Sequence, residues 1–386
     1  MCPAPLPPPA SWPLLPMVQP IVPVDADLLA TLADILASGK LTNHGPWVQR
    51  LEAGLGAWLG GPVAAVASGS AGLQLGLAAL DLHATGARCK AAILPSFTYV
   101  ATANAVAQAG FVPVLCDVDP NTWTLCPRAL EAVLAARDDV AVVVPVAVYG
   151  VAPDLAALAA LARGAGAALV YDAAHALGTE VLRARLAAQV DVQVFSLHAT
   201  KVLPAVEGGL VWARDPAVLQ RIQALRCHGI GPDPFAVAIG LNAKLSELHA
   251  AVGHHSLLRL DTILANRRAY GARLTQAAGR SRAFRVQAVP TGMRSNYQNF
   301  GLRVAIDQPH DIETVVAAFA REGVEARRYF WPPLHQLRRF AHDQAHLPVT
   351  RALVSELLCL PLHSWMDEPS LCRVEAALAA VARSLA

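Results

Sequence analysis

Val140-Ala141-Val142-Val143-Val144-Pro145-Val146-Ala147-Val148 and Ala168-Leu169-Val170-Tyr171 are apolar throughout, and between them runs the helical pattern Asp154–Arg163. Strands without a polar face are covered on both sides, and a helix between two of them joins parallel neighbours. The same alternation repeats outward. Ala91–Pro95, Val112–Leu115 and Val192–Phe195 read as further buried strands, with Gly72–Leu82 and Arg128–Ala136 as helices. From about Ala64 to Val211 this rhythm predicts an α/β fold with a mainly parallel sheet. Ligands on such sheets sit at the carboxyl ends of the strands. Chemistry is therefore expected just after the apolar runs.

A helical stretch, Leu245–Ala278, leads into a different pattern beyond Gln287. There Gln298–Val304 and Gly323–Tyr329 read as strands, and Asp311–Glu322 and Pro369–Ala386 as closing helices. The expected division is an N-terminal arm over 1–30, a large domain over 31–245, and a linking helix with a small α+β domain over 246–386. The 386 residues are 54% hydrophobic, enough for a large core, and the net charge is +2 with no Lys/Arg block. Neither nucleic acid nor an anionic membrane is implied as a partner. The most apolar stretch, Val140–Tyr149, contains Pro145 and is half of the roughly 20 residues that a spanning helix needs. The proline-rich start reads as an extended arm and lacks a signal peptide's charged start and apolar run, so a soluble cytoplasmic protein is expected. Seven cysteines without a C-x-x-C pair and thirteen histidines without an H-E-x-x-H pattern predict neither a disulfide framework nor a metal site.

Three segments can hold chemistry. Ala67-Ser68-Gly69-Ser70-Ala71-Gly72 follows the apolar Val63–Val66 and opens a helix. Small residues there let backbone N–H groups approach an anion, helped by the helix dipole, although a plain serine N-cap explains the same pattern. Tyr171-Asp172-Ala173-Ala174-His175 ends an apolar strand. Its aspartate either caps a turn or faces a ligand. Phe195-Ser196-Leu197-His198-Ala199-Thr200-Lys201 puts a lysine just past another buried strand, before Gly208-Gly209. Desolvation there would free the amine for a Schiff base. Pyridoxal phosphate (PLP) needs an anion cradle, a carboxylate at its pyridinium nitrogen and a lysine for its aldehyde. Ser70, Asp172 and Lys201 supply these in order. A nicotinamide site would instead show G-x-G-x-x-G after the first strand, a spacing that Gly69 and Gly72 do not fit.

With Leu41-Thr42-Asn43-His44-Gly45-Pro46, Pro95-Ser96-Phe97-Thr98-Tyr99-Val100-Ala101-Thr102, Gly240-Leu241-Asn242-Ala243-Lys244 and Arg327-Arg328-Tyr329-Phe330, these motifs fall in the order of a known group. The chain resembles the DegT/DnrJ/StrS nucleotide-sugar aminotransferases, from about Leu41 to Leu362. The resemblance implies fold type I, that of aspartate aminotransferase, with 31–245 as the PLP-binding domain. It implies Lys201 as the Schiff-base and catalytic lysine, Asp172 as the pyridinium partner and His175 as a contact to the ring face or its 3-hydroxyl. Tyr99 falls at the stacking position; Gly69, Ser70, Ala71 and Ser196 match phosphate contacts. Asn242 matches an asparagine that a neighbouring subunit gives to the phosphate, which implies a homodimer with shared sites; the other reading is a helix N-cap.

Ser70 and Gly72 stand where many members have Thr and Ala, and Ala147 where many have His. Relatives with His in place of the lysine act as dehydratases; Lys201 favours transamination. The motifs look most like enzymes that move an amino group from L-glutamate to dTDP-4-keto-6-deoxyglucose, of use in O-antigen lipopolysaccharide or antibiotic sugars. A 3-keto nucleotide sugar is the runner-up. A non-catalytic PLP-binding regulator is the alternative of another class, and the pairing of Lys201 with Asp172 argues against it. Arg226, His228, Arg327 and Arg328 are candidates to meet a diphosphate.

Overall fold

The computed structural model describes residues 14–22, 24–82, 90–181, 189–231, 233, 238–304, 311–341 and 346–385; the proline-rich residues 1–13 lie outside these. The core is a seven-stranded sheet. Its strands are β1 (Val63–Val66), β2 (Ala91–Pro95), β3 (Val112–Cys116), β4 (Val140–Val143), β5 (Ala168–Asp172), β7 (Val192–Ser196) and β8 (Gly209–Ala213). They lie in the order β1-β8-β7-β5-β4-β2-β3, where only β8 makes antiparallel pairs, with β7 and β1. The expected mainly parallel sheet is thus present. A short pair, β6 (Glu180–Val181) and β10 (Met293–Arg294), forms a separate ribbon.

Both faces of the sheet are covered, which is why its strands read as unbroken apolar runs. The first helices, α1 (Ala26–Ser38) and α2 (Pro46–Leu59), precede the sheet. Next come α3 (Gly69–Ala79), α4 (Val100–Gln108), α5 (Pro127–Ala135), α6 (Leu155–Gly164) and α7 (Pro216–Leu225). Two glycines seat α3 tightly. A Cβ at Gly72 would lie 2.8 Å from Val194 Cγ1, and one at Gly76 2.8 Å from Val192 Cγ1. Close seating brings the N-terminus of α3 against the end of β7.

The predicted stretch Val140–Val148 stops being a strand at Val143. Pro145 has no N–H to give to a ladder, and the chain beyond it makes only isolated bridges, Val146 to Asp172 and Val148 to Val151. The helical stretch after Leu245 is two helices, α8 (Glu247–Leu257) and α9 (Leu260–Ala278).

The C-terminal part packs α9, α10 (Ile312–Arg321) and α12 (Glu368–Ser384) around three antiparallel strands: β9 (Phe284–Val286), β11 (Phe300–Val304) and β12 (Leu357–Leu360). The strand expected at Gly323–Tyr329 does not form. Its backbone groups are split between two partners, Val324 bridging Leu15 of the N-terminal segment and Arg327 bridging Cys359. The place beside β11 goes to β12, which follows α11 (Pro348–Glu356). Among the described residues no helix is long and apolar enough to cross a membrane.

Candidate active site

The carboxyl ends of β5 and β7 and the N-terminus of α3 meet at one place. Asp172, the last residue of β5, is buried at 4% exposure. Thr102 Oγ1 of α4 donates to its Oδ2 at 2.8 Å, and the Ala174 N–H donates to its Oδ1 at 3.1 Å. The carboxylate therefore caps the turn from a buried position. Burial raises its pKa, while Thr102, the Ala174 N–H and the Lys201 charge pull it back.

At the start of α3, Ser68 and not Ser70 is the N-cap, accepting from the Ala71 N–H at 3.1 Å. The Ala71 N–H is thus engaged. Gly69 and Ser70 remain in a first turn whose N–H groups have no helical partner, and the Ser70 side chain is exposed. A Cβ at Gly69 would lie 3.1 Å from Ser196 Cβ and 3.5 Å from its Oγ. Ser196 Oγ accepts from the His198 N–H at 3.4 Å, so its own proton is free to donate. This is a small pocket of donors at a helix N-terminus, suited to an anion.

Lys201 lies in the loop that follows β7, half-buried. Burial pushes its ammonium down to about 8, opposed by the Asp172 carboxylate. Neither a side chain nor a carbonyl among the described residues bonds its Nζ. An unpartnered amine beside a buried carboxylate is poised for covalent chemistry.

His175 lies below this space, with its ring 5.9 Å from Phe330 and 6.3 Å from Tyr149, tilted 24° and 27°. Its Nδ1 accepts the Tyr149 N–H at 3.3 Å, which leaves the proton of the neutral ring on Nε2. Burial, with the Lys201 charge adding to it, holds the imidazole well below its usual pKa. Tyr99, the residue before α4, is 62% exposed and 6.4 Å from the Phe330 ring.

Asn242 is exposed, and its Oδ1 accepts from Lys244 at 2.6 Å. It caps no helix: the N-cap of α8 is Ser246. The structure links Gly69 with Ser196, Asp172 and His175 with Lys201, and Tyr99 with His175 through Phe330. Asn242 joins none of these sets among the described residues. The diphosphate candidates differ in freedom. Arg226 is buried against Glu52 at 2.5 Å and the Ala65 carbonyl at 2.6 Å. Arg327 pairs with Glu325, and Arg328 with Glu313 while its guanidinium lies 3.5 Å over Trp331. His228 is exposed.

A lysine, a carboxylate and an anion cradle at adjoining strand ends form one apparatus, and the comparison with known proteins says which. The family model for the DegT/DnrJ/EryC1/StrS aminotransferase family matches residues 23–379. The chain belongs to this family. It is a PLP-dependent sugar aminotransferase. The dTDP-4-amino-4,6-dideoxy-D-glucose transaminase of Shigella dysenteriae is 29% identical to it over 90% of this chain and 94% of that one. The UDP-N-acetyl-3-dehydro-alpha-D-glucosamine 3-aminotransferase of Acidithiobacillus ferrooxidans is 28% identical over 91% and 93%. The crystal structure of DesI in the presence of its TDP-sugar product superposes with a TM-score of 0.85 at 30% identity, over 97% and 94%.

The aminotransferase has residues that fit PLP. The Gly69 position, where a Cβ would press on Ser196, leaves room for phosphate oxygens; the buried Asp172 and the unpartnered Lys201 complete the donor set. Sequence reasoning missed two supports. Thr102 holds Asp172, and Thr98 Oγ1 stands 3.0 Å behind Thr102. Thr98 lies two residues before α4, so only its four-residue separation from Thr102 was visible in the sequence. Phe330 covers His175, and nothing in the sequence around it marks that contact.

Proposed function

We propose that the aminotransferase moves an amino group from L-glutamate to a dTDP-linked 4-keto-6-deoxyhexose, giving dTDP-4-amino-4,6-dideoxyglucose. One observation supports this choice of sugar: the likeness, over nearly the whole chain, to a dTDP-4-amino-4,6-dideoxy-D-glucose transaminase and to DesI crystallised in the presence of a TDP-sugar product. The similar likeness to a 3-aminotransferase of a UDP sugar makes a 3-keto nucleotide sugar the second reading.

Gly69, Ser70 and Ser196 hold the phosphate in this reading, with Ala71 completing the turn. Asp172 holds positive charge at the ring nitrogen, and Tyr99 and His175 hold the ring. Lys201 carries the cofactor at rest. When bound, PLP supplies an aldehyde and an electron-withdrawing ring that take up the amino group of the donor and pass it to the ketone. A lysine with a pKa of about 8 is in part unprotonated at neutral pH. Its Nζ can therefore remove the proton from the carbon bearing the amino group and return it as an acid.

The decisive assay offers the purified protein L-glutamate or L-glutamine with dTDP-4-keto-6-deoxyglucose or a UDP-linked 3-keto sugar. The expected products are dTDP-4-amino-4,6-dideoxyglucose and 2-oxoglutarate; a preference for the 3-keto sugar overturns the assignment.

Asn242 is assigned to the phosphate of a partner subunit, so that the enzyme works as a homodimer. Support comes from the exposed apolar side chains around it, Ile230, Leu241 and the fully exposed Ile239. Mixing inactive Lys201→Ala and Asn242→Ala subunits is expected to restore part of the activity, because one site of each heterodimer is then intact. No recovery after proven subunit exchange removes Asn242 from the shared site.

A further inference from the structure

The loop that carries Lys201 is held from outside the large sheet. The hold comes from Ser295-Asn296-Tyr297-Gln298-Asn299, the segment that leads into β11. Gln298 is 6% exposed. Its Nε2 donates to the Thr200 carbonyl at 2.9 Å, and its Oε1 accepts the Val202 N–H at 3.1 Å. These two groups belong to the two peptide planes on either side of the Lys201 Cα. Fixing both planes fixes φ and ψ of Lys201 and hence the direction of its Cα–Cβ bond. The donor-acceptor pattern also leaves one orientation for the amide.

The segment is itself immobilised. Arg267, 4% exposed, donates to the carbonyls of Asn296, Tyr297 and Gln298. Asn296, fully buried, accepts the Gln298 N–H at 2.8 Å and donates to the carbonyls of His175 and Leu177 at 3.0 and 2.8 Å. Gly150 permits this docking, because a Cβ there would fall 2.1 Å from Asn296 Oδ1. One short segment thus grips the backbone at both the histidine and the lysine.

We propose that Gln298 is a positioning residue for the amine: its carboxamide holds both peptide groups that flank Lys201 and so aims Nζ at the reacting carbon. The proposal rests on Lys201 as the cofactor-bearing lysine. A side chain that merely filled space would serve as well if it were apolar and of the same size. Two variants separate these roles. Gln298→Leu keeps the volume and loses both bonds. Gln298→Glu keeps the acceptor, and when its carboxyl is protonated it also donates to Thr200, copying the amide; when ionised it cannot.

In full-length Gln298→Leu without cofactor, hydrogen exchange at the Val202 amide is expected to speed up at least about tenfold. The pH midpoint for acetylation of Lys201 by acetic anhydride is expected to rise by a unit or more from about 8 as the amine gains water. In the loaded enzyme kcat should fall at least about tenfold with KM for the sugar changed less than twofold, a split that marks lost alignment. For Gln298→Glu the ratio of its kcat to that of the parent should decline as pH rises and the carboxyl ionises. An unchanged Val202 exchange rate and Lys201 midpoint in a folded Gln298→Leu protein overturn the proposal. If Gln298→Leu does not fold, a pH-independent ratio for Gln298→Glu overturns it and a declining ratio supports it. The exchange and acetylation measurements use neither PLP nor sugar, so they test the clamp even if another lysine carries the cofactor.

Discussion

Lys201→Ala is expected to yield a folded protein whose transamination is reduced by at least about a thousandfold, the upper part of the range for losing a positioned proton-transfer group. The fold should survive because the Lys201 Nζ makes no hydrogen bond among the described residues. Asp172 keeps its own bonds from Thr102 and the Ala174 N–H. What disappears is the only amine proposed to carry the cofactor and to shuttle the proton. Two measurements decide the matter. Borohydride treatment of the parent should fix PLP to the peptide containing Lys201, and the variant should take up no covalent label. A small primary amine in the buffer should recover part of the variant's turnover, since it replaces a base and not a structural support. Label on another lysine, or a variant that turns over within tenfold of the parent, sinks the assignment.

Asp172→Asn should bind PLP yet transaminate at least roughly a hundredfold more slowly, since losing one member of a buried charge pair costs several kcal/mol and about 1.4 kcal/mol is tenfold in rate. The substitution is close to isosteric. Its Oδ1 still accepts from the Ala174 N–H, and the hydroxyl of Thr102, backed by Thr98 at 3.0 Å, can turn to accept from the new amide. The turn before His175 therefore keeps its cap, and a rate loss reports the missing charge. Stopped-flow measurement of the half-reaction with L-glutamate isolates the step. Near-normal turnover would leave Asp172 a cap and take away its role at the ring nitrogen.

The sheet and the residues at its edges were legible because each obeys a local rule. Strands buried on both faces leave apolar runs, and ligands gather at strand ends, so Asp172, Ser196 and Lys201 could be picked from their positions alone. Two of the three failures share a cause: each depends on a partner far away along the chain. Gly323–Tyr329 has a strand's composition, but Val324 bonds to Leu15 and Arg327 to Cys359, which splits the ladder. Pro145 was visible, yet the run around it was read whole. Gln298 and Asn296 sit in a segment of ordinary polarity, and their value appears only when Thr200, Val202 and His175 are brought beside them. Ser68 shows the opposite limit. It was as readable as Ser70, and geometry alone decided which of the two caps α3.

The grip of Gln298 on the lysine loop also sets an order in time. The seven strands of the main sheet are complete once Ala213 has been synthesised, whereas Gln298 follows Val202 by 96 residues. A chain growing on a ribosome thus holds every strand of its sheet while the backbone at Lys201 still lacks its clamp. Domains fold as units in the order of synthesis, so the early part can form its core before the backbone on either side of Lys201 is fixed. On that proposal the alignment of the Lys201 amine waits for the segment that leads into β11, and a truncated product released before it would hold the sheet with the amine unaimed.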